Sequence, residues 1–148
     1  MKHTIVVASD HAALSLKTAI VNHLLDGEHD VLDLGPSTDT PCDYPDFAQK
    51  AAKHVQSGTA TLGILICGTG IGMSIAANKV KGVRAAVCSD TFSARMTRLH
   101  NNANILAIGE RVVGQGLALD IIDAFVSTNY SGETRHQNRI DKISKLEK

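Results

Sequence analysis

The 148-residue chain is 43% hydrophobic and 20% charged, long enough to bury a core as one domain spanning 1–148. Its 15 Lys and Arg balance 15 Asp and Glu, aromatics are 3% and Trp is absent, so neither the basic footprint nor the stacking platform of a nucleic-acid binder is present. No stretch approaches the roughly 18 apolar residues of a membrane span, and the start MKHTIVVASDH reads as a strand rather than a signal peptide. A cytoplasmic protein with no nucleic-acid or membrane partner is expected.

In chain order, Thr4–Ala8 reads as a buried strand and Ala12–Leu25 as a helix with Leu16, Ile20 and Leu24 on its apolar face. Val31–Leu34 is a second strand closed by Gly35, and Asp46–Val55 a helix capped by Asp46. Leu62–Ile66 and Ile71–Asn78 form a third strand and its helix, Val83–Cys88 and Thr91–His100 a fourth pair. Asn104–Ile108 is the fifth strand, Val113–Val126 the longest helix, and a last helix starts near Arg135. Short non-alternating apolar strands joined by helices imply a parallel sheet covered on both faces. The expected fold class is α/β: a three-layer α/β/α sandwich on a Rossmann-like five-stranded parallel sheet.

Ligands in such folds sit beyond the carboxyl ends of the strands, where Ser9-Asp10-His11, Cys67-Gly68-Thr69 and Gly109-Glu110-Arg111 collect. The most informative junction is LGILICGTGIGMSIAAN, residues 62–78. There a buried strand ends at Cys67, and Gly68, Thr69, Gly70, Ile71 and Gly72 lead into a helix. Glycines leave backbone N–H groups uncovered, and the helix end adds partial positive charge. Such a turn holds a phosphate or an oxyanion, and its thiol suits a base or a nucleophile.

Three further constellations carry both a bland and a chemical reading. Asp10 is a favoured helix cap, but His11 beside it is not explained by capping. His100 closes a helix, where it satisfies the dipole or serves as an acid/base with Asn101 orienting a hydroxyl. Thr134 and Gln137 have capping-box spacing, and Arg135 and Arg139 share one helix face, as a phosphate clamp or as solvated charges near Glu133 and Asp141. Arg111 is a third guanidinium for the same role. The Walker A lysine is missing and SDHAAL after the first strand does not meet GxGxxG, so a small phosphorylated metabolite fits better than a nucleotide. Cys42, Cys67 and Cys88 stand far apart without CxxC, and no histidine pair has ligand spacing. No metal is expected.

The stretches Ser9-Asp10-His11, Asp43-Tyr44-Pro45, ILICGTGIGMSIAANK, Arg84-Ala85, LHNNANILAIGERVVG and RHQNRI run from end to end of the chain. Together they resemble the type B ribose-5-phosphate isomerases and their allose- and galactose-6-phosphate relatives. The resemblance implies metal-independent, cofactor-free interconversion of ribose 5-phosphate and ribulose 5-phosphate through an enediolate, with a hexose 6-phosphate as the alternative substrate. By the same resemblance, Cys67 is the base, Gly68 to Gly72 the oxyanion loop and Thr69 a proton shuttle. His100 opens the furanose ring with Asp10 nearby, and Asn101 contacts a hydroxyl. His11, Arg111, Arg135 and Arg139 stand at the phosphate end. The resemblance also implies a homodimer or tetramer with sites shared between chains, the last helix packing at the interface. No carboxylate stands in the loop after Cys67, which places the chain on the cysteine-using branch. Glu133-Thr134 departs from the family's glycine-rich approach to Arg135.

Overall fold

Alternating apolar residues on each central strand point to opposite faces of the sheet and gather two separate cores. The computed structural model describes residues 1–148. Strands β1 (Thr4–Ser9), β2 (Asp30–Asp33), β3 (Leu62–Cys67), β4 (Ala85–Val87) and β5 (Ile105–Gly109) form one sheet in the order β2-β1-β3-β5-β4, every neighbouring pair parallel. The helices are α1 (Leu14–Asp26), α2 (Tyr44–Gln56), α3 (Ile71–Ala77), α4 (Thr91–Asn101), α5 (Gln115–Val126) and α6 (Thr134–Ser144). Ile5, Val7, Ile64, Ile66, Leu106 and Ile108 meet α1, α4 and α5 on one face. Val6, Ala8, Leu65, Cys67 and Ala107 meet α2 and α3 on the other. The three-layer α/β/α sandwich follows. No helix is long and apolar enough to cross a membrane.

The order places the chain's switch of direction between β1 and β3, since α1 and α3 leave these neighbours toward opposite faces. Such a reversal opens a crevice beyond the strand ends. The residues after β1, β3 and β5 border it.

Several boundaries differ from those the sequence predicts, each for a local reason. The α2 helix starts at Tyr44 rather than Asp46, because Pro45 occupies its first turn, where a missing N–H costs nothing. Asp43 holds the cap position without a side-chain bond, and Asp46 lies inside the helix. The β4 strand is confined to Ala85–Val87, its flanks tied instead by Asn78 and Asn104 side chains to the backbone of Ala85 and Arg84. At α6 the cap is Glu133 and no side chain caps the helix, so the Thr134–Gln137 box does not form. Gln137 instead donates to Asp141, and Glu133 pairs with Arg135 at 2.8 Å.

Candidate active site

Cys67 is the last residue of β3 and only 5% exposed. Its Sγ accepts the Gly70 N–H at 3.1 Å, which fixes the sulfur against the turn and gives negative charge there a donor. That geometry needs Gly70 in the left-handed region, at φ 79°. A side chain there would also meet the Ile108 backbone at 2.9 Å. The Thr69 hydroxyl accepts the Ile71 N–H at 3.2 Å and covers the first free donor of α3.

The turn after β3 is locked to the turn after β5. Glu110 N–H donates to the Cys67 carbonyl at 2.8 Å, and Arg111 N–H to the Gly68 carbonyl at 3.0 Å. The two turns cross so closely that a Cβ on Gly109 would lie 2.7 Å from the Thr69 backbone. This contact lays the Arg111 side chain across Gly68, its guanidinium 3.6 Å from where a Cβ would stand.

Asp10 caps the 3-10 turn after β1, its carboxylate accepting the Ala12 N–H at 3.0 Å, so the capping role holds. His11 Nδ1 accepts the Cys42 N–H at 3.2 Å, with Cys42 Sγ at 3.7 Å. A backbone donor on Nδ1 puts the neutral ring's proton on Nε2. His11 thereby fastens the loop that carries all three prolines to the strand ends.

Asp10, Cys67, Gly68, Thr69, Ile71, Gly72 and Arg111 line one cleft of about 490 Å³. Ala12, Tyr44 and Ile75 complete it. No site role follows for Tyr44 from the residue pattern. Its ring takes the space over Gly72, where a Cβ would come within 2.6 Å. In the sequence Tyr44 stands out only within the stretch Asp43-Tyr44-Pro45, and no local feature signals this contact.

His11 and Gly70, in the turns beside it, are not among the residues that line this cleft, nor are His100, Asn101, Arg135 and Arg139. The α4 helix runs back from the carboxyl ends of the strands and carries His100 about 14 Å along its axis from Thr91, to the amino edge of the sheet. There His100 stacks on His136, ring centroids 4.4 Å apart and planes 16° apart. His136 is buried with Nε2 unpartnered, and burial and His100 hold its pKa below 6.5. The same α6 helix carries Arg135 and Arg139. A larger cleft of about 760 Å³, lined by lysines, Arg84 and Asn101, also lies at this edge, without thiol or histidine.

Neither other cysteine repeats the Cys67 environment. Burial and the Asp90 carboxylate push the Cys88 thiol up to about 11. No group of three or more His, Cys, Asp or Glu gathers as metal ligands.

A family model described as Ribose/Galactose Isomerase matches residues 5–143. The ribose-5-phosphate isomerase B of Escherichia coli (strain K12) is 46% identical over 143 residues, 97% of this chain and 95% of that protein. The solved structure of Clostridium thermocellum ribose-5-phosphate isomerase B superposes with a TM-score of 0.95 at 50% identity, covering 97% of this chain and 96% of that one. That of the Mycoplasma genitalium enzyme with bound ribulose-5-phosphate gives 0.92 at 46%, covering 97% and 95%. With the motif block, the sheet order and the thiol-bearing turn in place, the chain belongs to the ribose/galactose isomerase family, on the branch of the type B ribose-5-phosphate isomerases.

Proposed function

We propose that this chain interconverts ribose 5-phosphate and ribulose 5-phosphate by moving a proton between C2 and C1, with Cys67 as the base. The observation that carries this reading is the Gly70 N–H donating to Cys67 Sγ at 3.1 Å, in a glycine turn at the mouth of a cleft that also holds Arg111. A base and preorganised donors are what abstraction next to a carbonyl requires. The names of the relatives, and the ribulose-5-phosphate bound in one of them, support the substrate.

In the open-chain aldose the Cys67 thiolate takes the C2 proton. The C–H electrons form the C1–C2 double bond, and the carbonyl pair moves onto O1. Backbone N–H groups of Gly68 to Gly72 stabilise this oxyanion. Thr69 passes a proton from O2 to O1, and Cys67 returns its proton to C1, completing the ketose. No step calls on a metal or a cofactor. His11 and Arg111 hold the phosphate from one chain.

The remaining roles fall to residues at the far edge of the sheet. His100 exchanges the protons that open the furanose ring, Asn101 contacts a hydroxyl, and Arg135 and Arg139 complete the phosphate site. We infer that these come from a second copy, so that a homodimer holds two composite sites, with α6 at the interface. Ile71 and Ile75, 53% and 57% exposed one turn apart on α3, give the cleft rim an apolar surface for that copy to cover.

The test is the initial rate on ribose 5-phosphate after chelator treatment. Cys67→Ala is expected to lose at least about a hundredfold in kcat while keeping its fold. Full turnover by that variant would overturn the assignment of the base. Turnover of allose 6-phosphate, measured alongside, sets the preferred sugar length.

A further inference from the structure

We propose that Arg84 is a positioning residue for His100 and Asn101, setting where these two side chains stand by clamping the end of the helix that carries them. The inference rests on the reading in which His100 opens the sugar ring.

A helix end leaves its last carbonyls without partners, and most helices close with one left-handed residue and backbone bonds. The α4 helix already has this closure. Asn102 is left-handed at φ 44°, its N–H donates to the Arg98 carbonyl at 3.1 Å, and Ala103 N–H donates to that of Thr97 at 3.0 Å. Two guanidiniums are then added to the same turn. Arg84 Nε donates to the Asn101 and Asn102 carbonyls at 3.0 and 3.1 Å, and its Nη2 to Asn102 at 2.9 Å. Arg98 Nη1 donates to the Asn102 side chain at 3.0 Å and to the Ala103 carbonyl at 2.6 Å.

Arg84 is itself anchored. Its N–H donates to the Asn104 side chain at 2.8 Å, and its carbonyl accepts the Asn104 N–H at 3.0 Å. Burial lowers the pKa of both arginines, and the charge of Arg84 lowers that of Arg98 further. Crowding two partly buried cations at one helix end exceeds what closing the helix needs. What the excess fixes is the backbone of Asn101, next to His100. A planar guanidinium bridging two carbonyls resists rotation of the turn in a way that a flexible ammonium does not.

The consequence is chemical. Opening the furanose takes a proton from O1 and delivers one to O4 as the C1–O4 bond breaks, so the acid/base must lie within hydrogen-bond reach of both. Displacement by an ångström is enough to cost a large factor in rate. Ribulose 5-phosphate has no furanose form, because its O5 is esterified. Proton abstraction from its C1 therefore needs Cys67 and the glycine turn but no ring chemistry.

The experiment follows ribulose 5-phosphate in D2O with wild type, Arg84→Gln, Arg84→Lys and His100→Asn. It records deuterium gained at C1 of unconverted ketose per molecule of ribose 5-phosphate formed. Passage to the enediolate that returns instead of closing the ring adds to this ratio. Arg84→Gln is expected to lower ribose 5-phosphate turnover about tenfold or more and to raise the ratio several-fold. Arg84→Lys is expected to shift both less, and it carries the test if Arg84→Gln fails to assemble. A variant that merely lost stability would lower turnover with the ratio unchanged, and that result overturns the inference, as does wild-type turnover. The ratio is read on variants shown to be dimers, because a lone chain would keep Cys67 without a partner's His100. If His100→Asn leaves the ratio unchanged, the ring-opening role of His100 falls, and the role assigned to Arg84 with it.

Discussion

At the carboxyl edge of the sheet the Cys67 thiol is held by backbone, whereas at the amino edge His100 is held by side chains. Around Cys67 the N–H groups of Gly70, Glu110 and Arg111 donate to its Sγ, to its carbonyl and to that of Gly68, allowed by glycines that let two turns touch. Around His100 they are an imidazole stack and two guanidiniums on the helix end. The first arrangement leaves room for a ligand and donors to meet an oxyanion. The second gives a titratable ring a fixed plane without enclosing it. Under the proposed reading each edge lacks what the other has, and a second copy would supply it.

Breaking the backbone-built edge is expected to have the largest effect. Gly109→Ala forces a methyl group to 2.7 Å from the Thr69 backbone, which cannot swing aside. We expect turnover to fall about a hundredfold and stability by about 2 kcal/mol, read from initial rates and urea melts. Gly72→Ala meets the Tyr44 ring at 2.6 Å, a side chain that can rotate away. Its cost should be smaller, about 1 kcal/mol, with the loss appearing more in KM than in stability. Equal effects of the two substitutions would show that the Gly109–Thr69 contact does not hold the turn.

The side-chain-built edge should reveal itself through pH. His136, and His3 elsewhere, have pKa values held below 6.5, chiefly by burial. Below pH 6.5 the unfolded chain takes up protons that the folded chain refuses, so stability falls as pH drops from 6.5 and levels off below the folded values. Imidazole titration by NMR should place His136 below 6.5. A value above it would mean that the His136 ring is not held buried beside His100 in solution.

Much of this was legible in the chain. The apolar runs locate all five strands, and the CGTGIG turn marks the thiol-bearing junction. Asp10 as a cap followed from residue type alone. What was not legible depends on distances between elements. Nothing local says that His11 fastens Cys42, that Tyr44 covers Gly72, or that His100 meets His136. The Thr134–Gln137 spacing misled, because Glu133 takes the cap position and turns to Arg135. Arg84 was visible only as part of a matching stretch, its three bonds to the end of α4 being tertiary.

The central claim, that the two edges combine across copies, is tested most directly by mixing two inactive variants. Cys67→Ala and His100→Asn are unfolded together, refolded and assayed on ribose 5-phosphate. Random pairing makes half the dimers mixed, each with one intact site of two, so about a quarter of wild-type activity should return. No recovery, with mixed dimers demonstrated by mass spectrometry, would contradict the composite site and place base and ring-opening acid in one chain.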